Sequence, residues 1–243
     1  SHYIFRNRRR IKFVPRSVAG RENNHRKKRK SSLNMLKNSY KGRFVAFEGL
    51  DGSGQSTQAN LLRDFLIKKG FEVILTKEPT IDSETGKEIK EVLDKKKTIS
   101  PSKLQELFAK DRKEHLEKVI IPALKKGKIV ISDRYFFSSF AYGKASGVNL
   151  EWLIKINNDF LLPDITFLLK VSPEICIERI EKRNKGKKRT LFEEKEKLKK
   201  VWQVYKILPN LFKNIYIIDG EKPIKEVFKA IKKIINSKLQ PNT

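Results

Sequence analysis

The chain has 243 residues, room for one α/β domain of about 200 residues and an appendage. One cysteine, Cys176, excludes a disulfide framework and a cysteine zinc cluster and fits a reducing compartment; with no apolar run near the ~20 residues of a membrane span and no signal-peptide core, a cytoplasmic location away from membranes is expected. Lys and Arg number 55 against 28 Asp and Glu, a formal charge of +27, which attracts phosphorylated ligands and, without sequence preference, nucleic acid.

Much of that charge sits at the start. Residues 1–42 form a basic arm whose clusters Arg8-Arg9-Arg10 and Arg26-Lys27-Lys28-Arg29-Lys30 have no amphipathic period, and a disordered, solvated segment is expected. Four readings stay open for it: nonspecific nucleic-acid binding, a targeting arm, an inert tail, or upstream translation of a frame that begins at Met35, the chain's single methionine.

Phe44-Val45-Ala46-Phe47 predicts a first strand. Gly49-Leu50-Asp51-Gly52-Ser53-Gly54-Gln55-Ser56-Thr57 follows as a glycine-rich loop, and Leu61, Leu62, Phe65 and Leu66 then give a helical pattern. Strand, loop and helix in that order suit a phosphate-binding loop. Backbone N–H groups turn inward on phosphate oxygens, and the helix adds its uncapped N–H groups and dipole. Gln55 stands where that loop pattern carries Lys, while Ser56 supplies the hydroxyl that ligates magnesium. A ligand-free glycine turn is the plain alternative.

After Gly70, residues 71–76 predict a second strand that runs into Thr76-Lys77-Glu78-Pro79-Thr80 at its carboxyl end, where open α/β sheets bind ligands. Helices are predicted over 83–95 and 102–126, the second capped by Ser102, with Phe108 and Arg112 on one face. Residues 128–132 form the third strand, ending in Asp133-Arg134-Tyr135. A carboxylate there orients magnesium or its waters, and the arginine forks onto a substrate phosphate; a structural ion pair is the alternative. Helices from Ser138 and over 150–161 follow, the latter with Trp152, Ile156 and Phe160 as its core stripe. Strand 163–171 leads to a helix with Ser172 at N-cap and Pro173 at N1. The basic run 184–189 is placed to close over a triphosphate as a lid, or is a solvated charge run. A helix over 191–208, with Val201, Trp202 and Tyr205 on one side, a fifth strand over 215–218 and a last helix over 223–237 complete the chain.

The five stretches at 47–58 (FEGLDGSGQSTQ), 76–80 (TKEPT), 107–112 (LFAKDR), 133–143 (DRYFFSSFAYG) and 162–174 (LPDITFLLKVSPE), in that order, resemble the thymidylate kinases. The resemblance covers about residues 43–237, with a lid at about 184–192 and a tail at 238–243. It implies a three-layer α/β P-loop fold, a five-stranded parallel sheet with helices on both faces, and transfer of the γ-phosphoryl of ATP to dTMP with Mg2+, in a homodimer. It further implies that Gly49, Leu50, Asp51, Gly52, Ser53, Gly54, Gln55, Ser56 and Thr57 bind ATP and that Ser56 and Asp133 hold the metal. Asp51, Asp133, Arg134 and Arg189 of the lid would be catalytic. Asp51 would meet the acceptor's 3′-hydroxyl, Phe108 would stack on the base, Arg112 would reach its edge, and Pro79 would line the pocket. Glu48, Lys77, Ser138 and Tyr142 join Arg134 around the acceptor. Gln55 departs from the family's P-loop lysine, Lys77 from a frequent Arg, and Gly143 from a side-chain amide common in bacterial members. Rival readings are a non-catalytic nucleotide- or RNA-binding relative, a kinase that also takes dUMP, and a deoxynucleoside kinase.

Overall fold

The computed structural model describes residues 35–184 and 195–239. Five strands form one parallel sheet in the order β3-β4-β2-β6-β7, with β2 at Arg43–Gly49, β3 at Val73–Lys77, β4 at Ile129–Asp133, β6 at Ile165–Lys170 and β7 at Ile215–Asp219. All four pairings are parallel, with β2 between β4 and β6 in register Phe47↔Asp133 and Phe47↔Phe167. Parallel pairing needs a crossover between strands, which is why helices alternate with strands and cover both faces. The fold class expected from the sequence is the one observed.

The helices are α1 (Gln55–Lys68), α2 (Glu84–Leu93), α3 (Pro101–His115), α4 (Ile121–Lys125), α5 (Phe136–Ala145), α6 (Leu150–Asn157), α7 (Pro173–Asn184), α8 (Lys195–Tyr205), α9 (Leu208–Leu211) and α10 (Ile224–Lys238). One core packs Ala59, Leu62 and Leu66 of α1 and Val227, Ile231 and Ile235 of α10 onto Val45, Phe47, Ile131, Phe167 and Ile218. A cluster of rings, Phe136, Phe137, Phe140 and Phe212, fills the space around α5.

Several local expectations change. Residues 35–42, assigned to the arm, belong to the folded unit. There β1 (Leu36–Lys37) pairs with β5 (Leu161–Leu162), and Asn38 donates to Asp164 and to the Gly42 carbonyl. Residues 1–34 lie outside the described residues. The helix predicted over 102–126 is divided by a π-helical turn at Leu116–Ile120, next to Pro122, which has no N–H to continue the ladder. Ser100, not Ser102, caps α3, accepting from the Lys103 N–H with Pro101 in the first turn, where its missing donor costs nothing. In α6 the buried residues are Leu153, Ile154 and Asn157 rather than Trp152, Ile156 and Phe160. In α8, Leu198, Val201, Val204 and Tyr205 are buried, and Trp202 is only partly so.

Candidate active site

The carboxyl ends of β2, β3 and β4 meet at one cleft. β2 runs out of the sheet into the glycine loop, where Gly52 (φ 86°) and Gly54 (φ 98°) take left-handed conformations. A Cβ on Gly52 would lie 2.5 Å from the Cys176 carbonyl, so α7 is packed against bare backbone. Gly54 precedes α1 and offers no side-chain cap, which leaves the first-turn N–H groups of Gln55, Ser56 and Thr57 suited to an anion. Gln55 turns inward: its Nε2 donates to the Gly49 carbonyl at 3.1 Å, and its Oε1 accepts from Arg134 at 3.3 Å. The residue at the lysine position thus braces the loop instead of reaching along a phosphate chain. On α7, Arg179 donates to the carbonyls of Ser53 and Gly220, tying the loop to the end of β7.

At the end of β4, the Ser56 hydroxyl donates to Asp133 Oδ2 at 2.5 Å, and Lys77 Nζ stands 3.7 Å from the same oxygen. Ser56 and Asp133, the residues assigned to magnesium, come from different elements and meet beside the loop. No cluster of three metal-ligating His, Cys, Asp or Glu occurs among the described residues. The donor set on offer is one hydroxyl and one carboxylate oxygen, a hard pair suited to Mg2+ that leaves its remaining positions to water and phosphate.

Arg134 follows with φ 76°, left-handed for a residue with a Cβ. Two hydrogen bonds hold it there: its N–H donates to the Phe47 carbonyl, and the Ser132 hydroxyl donates to its carbonyl. The bend aims the guanidinium into the cleft, where it donates to Asp51 Oδ1 at 2.5 Å, Ser138 Oγ at 2.9 Å and the Gly49 carbonyl at 3.2 Å. Asp51, Tyr142, Tyr205 and Glu48 outweigh burial and hold its proton well above the ordinary range. Tyr142 donates to Asp51 Oδ2 and accepts from the Asp51 N–H, and its ring lies under Arg134.

Behind this group a cavity of about 340 Å3 is lined by Asp51, Lys77, Pro79, Phe108, Arg112, Arg134, Ser138 and Tyr142, eight of the residues assigned from the sequence. Phe108 is a partly exposed wall. Arg112 is 2 % exposed; it donates to Glu78 at 2.8 Å, Asn157 at 2.5 Å and Ser139 at 3.2 Å. A second cavity, about 680 Å3, opens across Lys77 and Pro79 towards Ser56 and Asp133.

Glu48 is not in the cleft. At 1 % exposure it lies beneath the Asp133–Tyr135 bend and accepts from the N–H groups of Tyr135 and Ser138 and the hydroxyls of Ser138 and Tyr205. Its assignment as a substrate contact is therefore corrected: burial keeps it from the acceptor, and it anchors the start of α5. Burial pushes its carboxyl up to about 7, against the four donors and Arg134. Arg189 and lid residues 185–192 lie outside the described residues.

Sequence reasoning missed Glu78, Asn157 and Tyr205, which fix Arg112 and Glu48. They arrive from distant elements, and no local pattern marks them. It also missed Arg183, which lines the 340 Å3 cavity from the end of α7, and Gln105, which shares the Phe108 face of α3 and was within reach of the helical period.

The described residues contain no helix long and apolar enough to cross a membrane. A sequence model of the thymidylate kinase family matches residues 47–231. The probable thymidylate kinase of Pyrococcus abyssi is 41% identical over 204 residues, 82% of this chain and 98% of that protein. The thymidylate kinase of Caldicellulosiruptor saccharolyticus is 37% identical over 210 residues, with the same two shares. The solved structure of the Candida albicans thymidylate kinase superposes with a TM-score of 0.71 at 30% identity, covering 82% of this chain and 93% of that one.

Proposed function

The chain belongs to the thymidylate kinase family, and from that premise and the cleft's geometry we infer that it transfers the γ-phosphoryl group of ATP to dTMP, giving dTDP. The observation that carries the acceptor side is the cavity walled by Phe108 and floored by Arg112, with Arg134 at its mouth beside the glycine loop. A flat ring and two guanidinium groups so placed suit a base at one end and a phosphate at the other.

In this reading the Gly49–Thr57 backbone and the start of α1 hold the ATP phosphates without a lysine. Arg134, bent into the cleft, grips the acceptor phosphate and neutralises charge as the phosphoryl group crosses. Asp51 orients Arg134 and accepts from the sugar hydroxyl. Lys77 adds a mobile charge between the two phosphates. Ser56 and Asp133 would hold Mg2+, which when bound supplies charge neutralisation at the transferring group. Catalysis is then alignment plus electrostatic stabilisation, since phosphoryl transfer asks for little covalent help from the protein. Arg189 is retained as the lid's contribution. A homodimer is part of the proposal, packed through the helices over 83–95 and 102–120. For the basic arm, nonspecific nucleic-acid binding stays one of the four readings, beside a targeting arm, an inert tail and upstream translation.

A coupled assay with ATP, Mg2+ and each nucleoside monophosphate tests the reading. Turnover with dTMP is expected. Turnover with thymidine alone would favour a deoxynucleoside kinase, against which Arg134 and Lys77 argue because they suit an acceptor already phosphorylated. Nucleotide binding with no turnover on any acceptor would leave a binding protein.

A further inference from the structure

The acceptor cavity contains a polar group that the reaction as described does not use. Gln105 lies one turn before Phe108 on α3, is 2 % exposed and lines the cavity. Its Oε1 is buried and has no hydrogen-bond partner among the described residues. Buried polar atoms are nearly always paired, so an orphan in a cavity wall points to a partner that arrives with the ligand. Gly143 on α5 explains why the amide has room. A Cβ there would sit 3.1 Å from Gln105 Cδ and 2.9 Å from a Leu153 methyl carbon. The space a side chain at 143 would need is taken by the Gln105 carboxamide and Leu153.

Arg112 stands on the same face of α3. Its bonds to Glu78, Asn157 and Ser139 use three of its five N–H groups. The cavity therefore presents an amide oxygen, a guanidinium with donors to spare, and the Phe108 ring.

We propose that the Gln105 carboxamide reads the base: Oε1 accepts the N3–H of a 4-keto pyrimidine while Arg112 donates to O4. This rests on the cavity being the acceptor site. An acceptor beside a donor matches thymine and uracil, which carry N3–H beside O4. It mismatches cytosine, whose N3 is an acceptor and whose N4 is a donor, so like would face like at both atoms. Neither group touches C5, so the hydrogen bonds select keto pyrimidines and leave thymine and uracil to be separated by the methyl group alone.

The test uses the full chain with ATP and Mg2+. In the wild-type protein, 3-deaza-dTMP, which has no N3–H and carries a hydroxyl at C4, loses both base contacts and turns over roughly 10–100-fold less efficiently than dTMP. Gln105→Met lowers kcat/KM for dTMP and dUMP by a similar factor, chiefly through KM, leaves KM for ATP unchanged, does not lower the poor rate on dCMP, and narrows the gap between 3-deaza-dTMP and dTMP. Equal losses on dTMP and dCMP would reduce Gln105 to a packing role and overturn the proposal, as would full wild-type activity on 3-deaza-dTMP. The wild-type comparison stands even if the variant does not fold. A wild-type protein inactive on dTMP would overturn the acceptor reading itself, a result distinct from normal turnover with no dependence on Gln105.

Discussion

The two sides of the cleft proposed to bind phosphate are built by different means. The donor side is backbone: glycines at positive φ, an uncapped helix start, and a glutamine that braces the loop through the Gly49 carbonyl. The acceptor side is side chain. Arg134, Asp51, Tyr142, Ser138, Glu48 and Tyr205 form one hydrogen-bonded group, and Arg112, Glu78, Asn157 and Ser139 form another. In the proposed reading a backbone cradle survives a change of side chain, which would let Gln55 stand at the lysine position. A buried charge network does not, because removing one partner strands the others without solvent.

That contrast predicts a hierarchy of effects. Arg134→Met removes the acceptor-side charge and strands Asp51; kcat/KM for dTMP should fall about 10^3-fold with KM for ATP little changed. A loss under tenfold would show that the side-chain network is dispensable.

Glu48→Ala leaves four donors without their acceptor and should cost roughly 3 kcal/mol of stability, read by denaturant unfolding. Glu48 also imposes a pH dependence. Its folded carboxyl titrates near 7 against 4.5 for the unfolded group, so between those values the folded state binds the extra proton. Stability should therefore be highest at the acid end of that window and fall by roughly 3 kcal/mol as pH rises through 7. Glu48→Gln should flatten this slope; a slope unchanged in that variant would assign the titration elsewhere.

On the donor side the sensitive point is a glycine. Gly52→Ala drives a Cβ into the Cys176 carbonyl and demands positive φ of alanine, at about 2 kcal/mol, and should raise KM for ATP while KM for dTMP holds. Gln55→Ala is the smallest change. It removes one brace and should cost about 1 kcal/mol, a fivefold drop in kcat/KM. Were Gln55→Ala as damaging as Arg134→Met, the cradle would depend on that side chain after all.

The strand-loop-helix order, the parallel sheet and eight residues of the cleft were legible in the sequence because they lie in short contiguous stretches with periodic or glycine signals, or in the motifs that carry the family resemblance. Phe108 and Arg112 were paired from the helical repeat alone. The breaks were local. Pro122 splits a helix that periodicity reads as continuous, and α6 buries a stripe offset from Trp152, Ile156 and Phe160 because its neighbours choose which face is covered.

By itself the chain determined the glycine loop between strand and helix, the strand ends that carry Asp133 and Arg134, and the faces of α3, since each depends on backbone conformation within a few residues. Only the tertiary structure decided that Glu48 is an anchor rather than a contact, that Gln55 faces the loop's own carbonyl, and that Gln105 fills the space left by Gly143. Those outcomes depend on which groups meet from elements far apart in the chain. Whether a buried polar group is paired or left for a ligand is a property of that meeting, not of its neighbours in sequence.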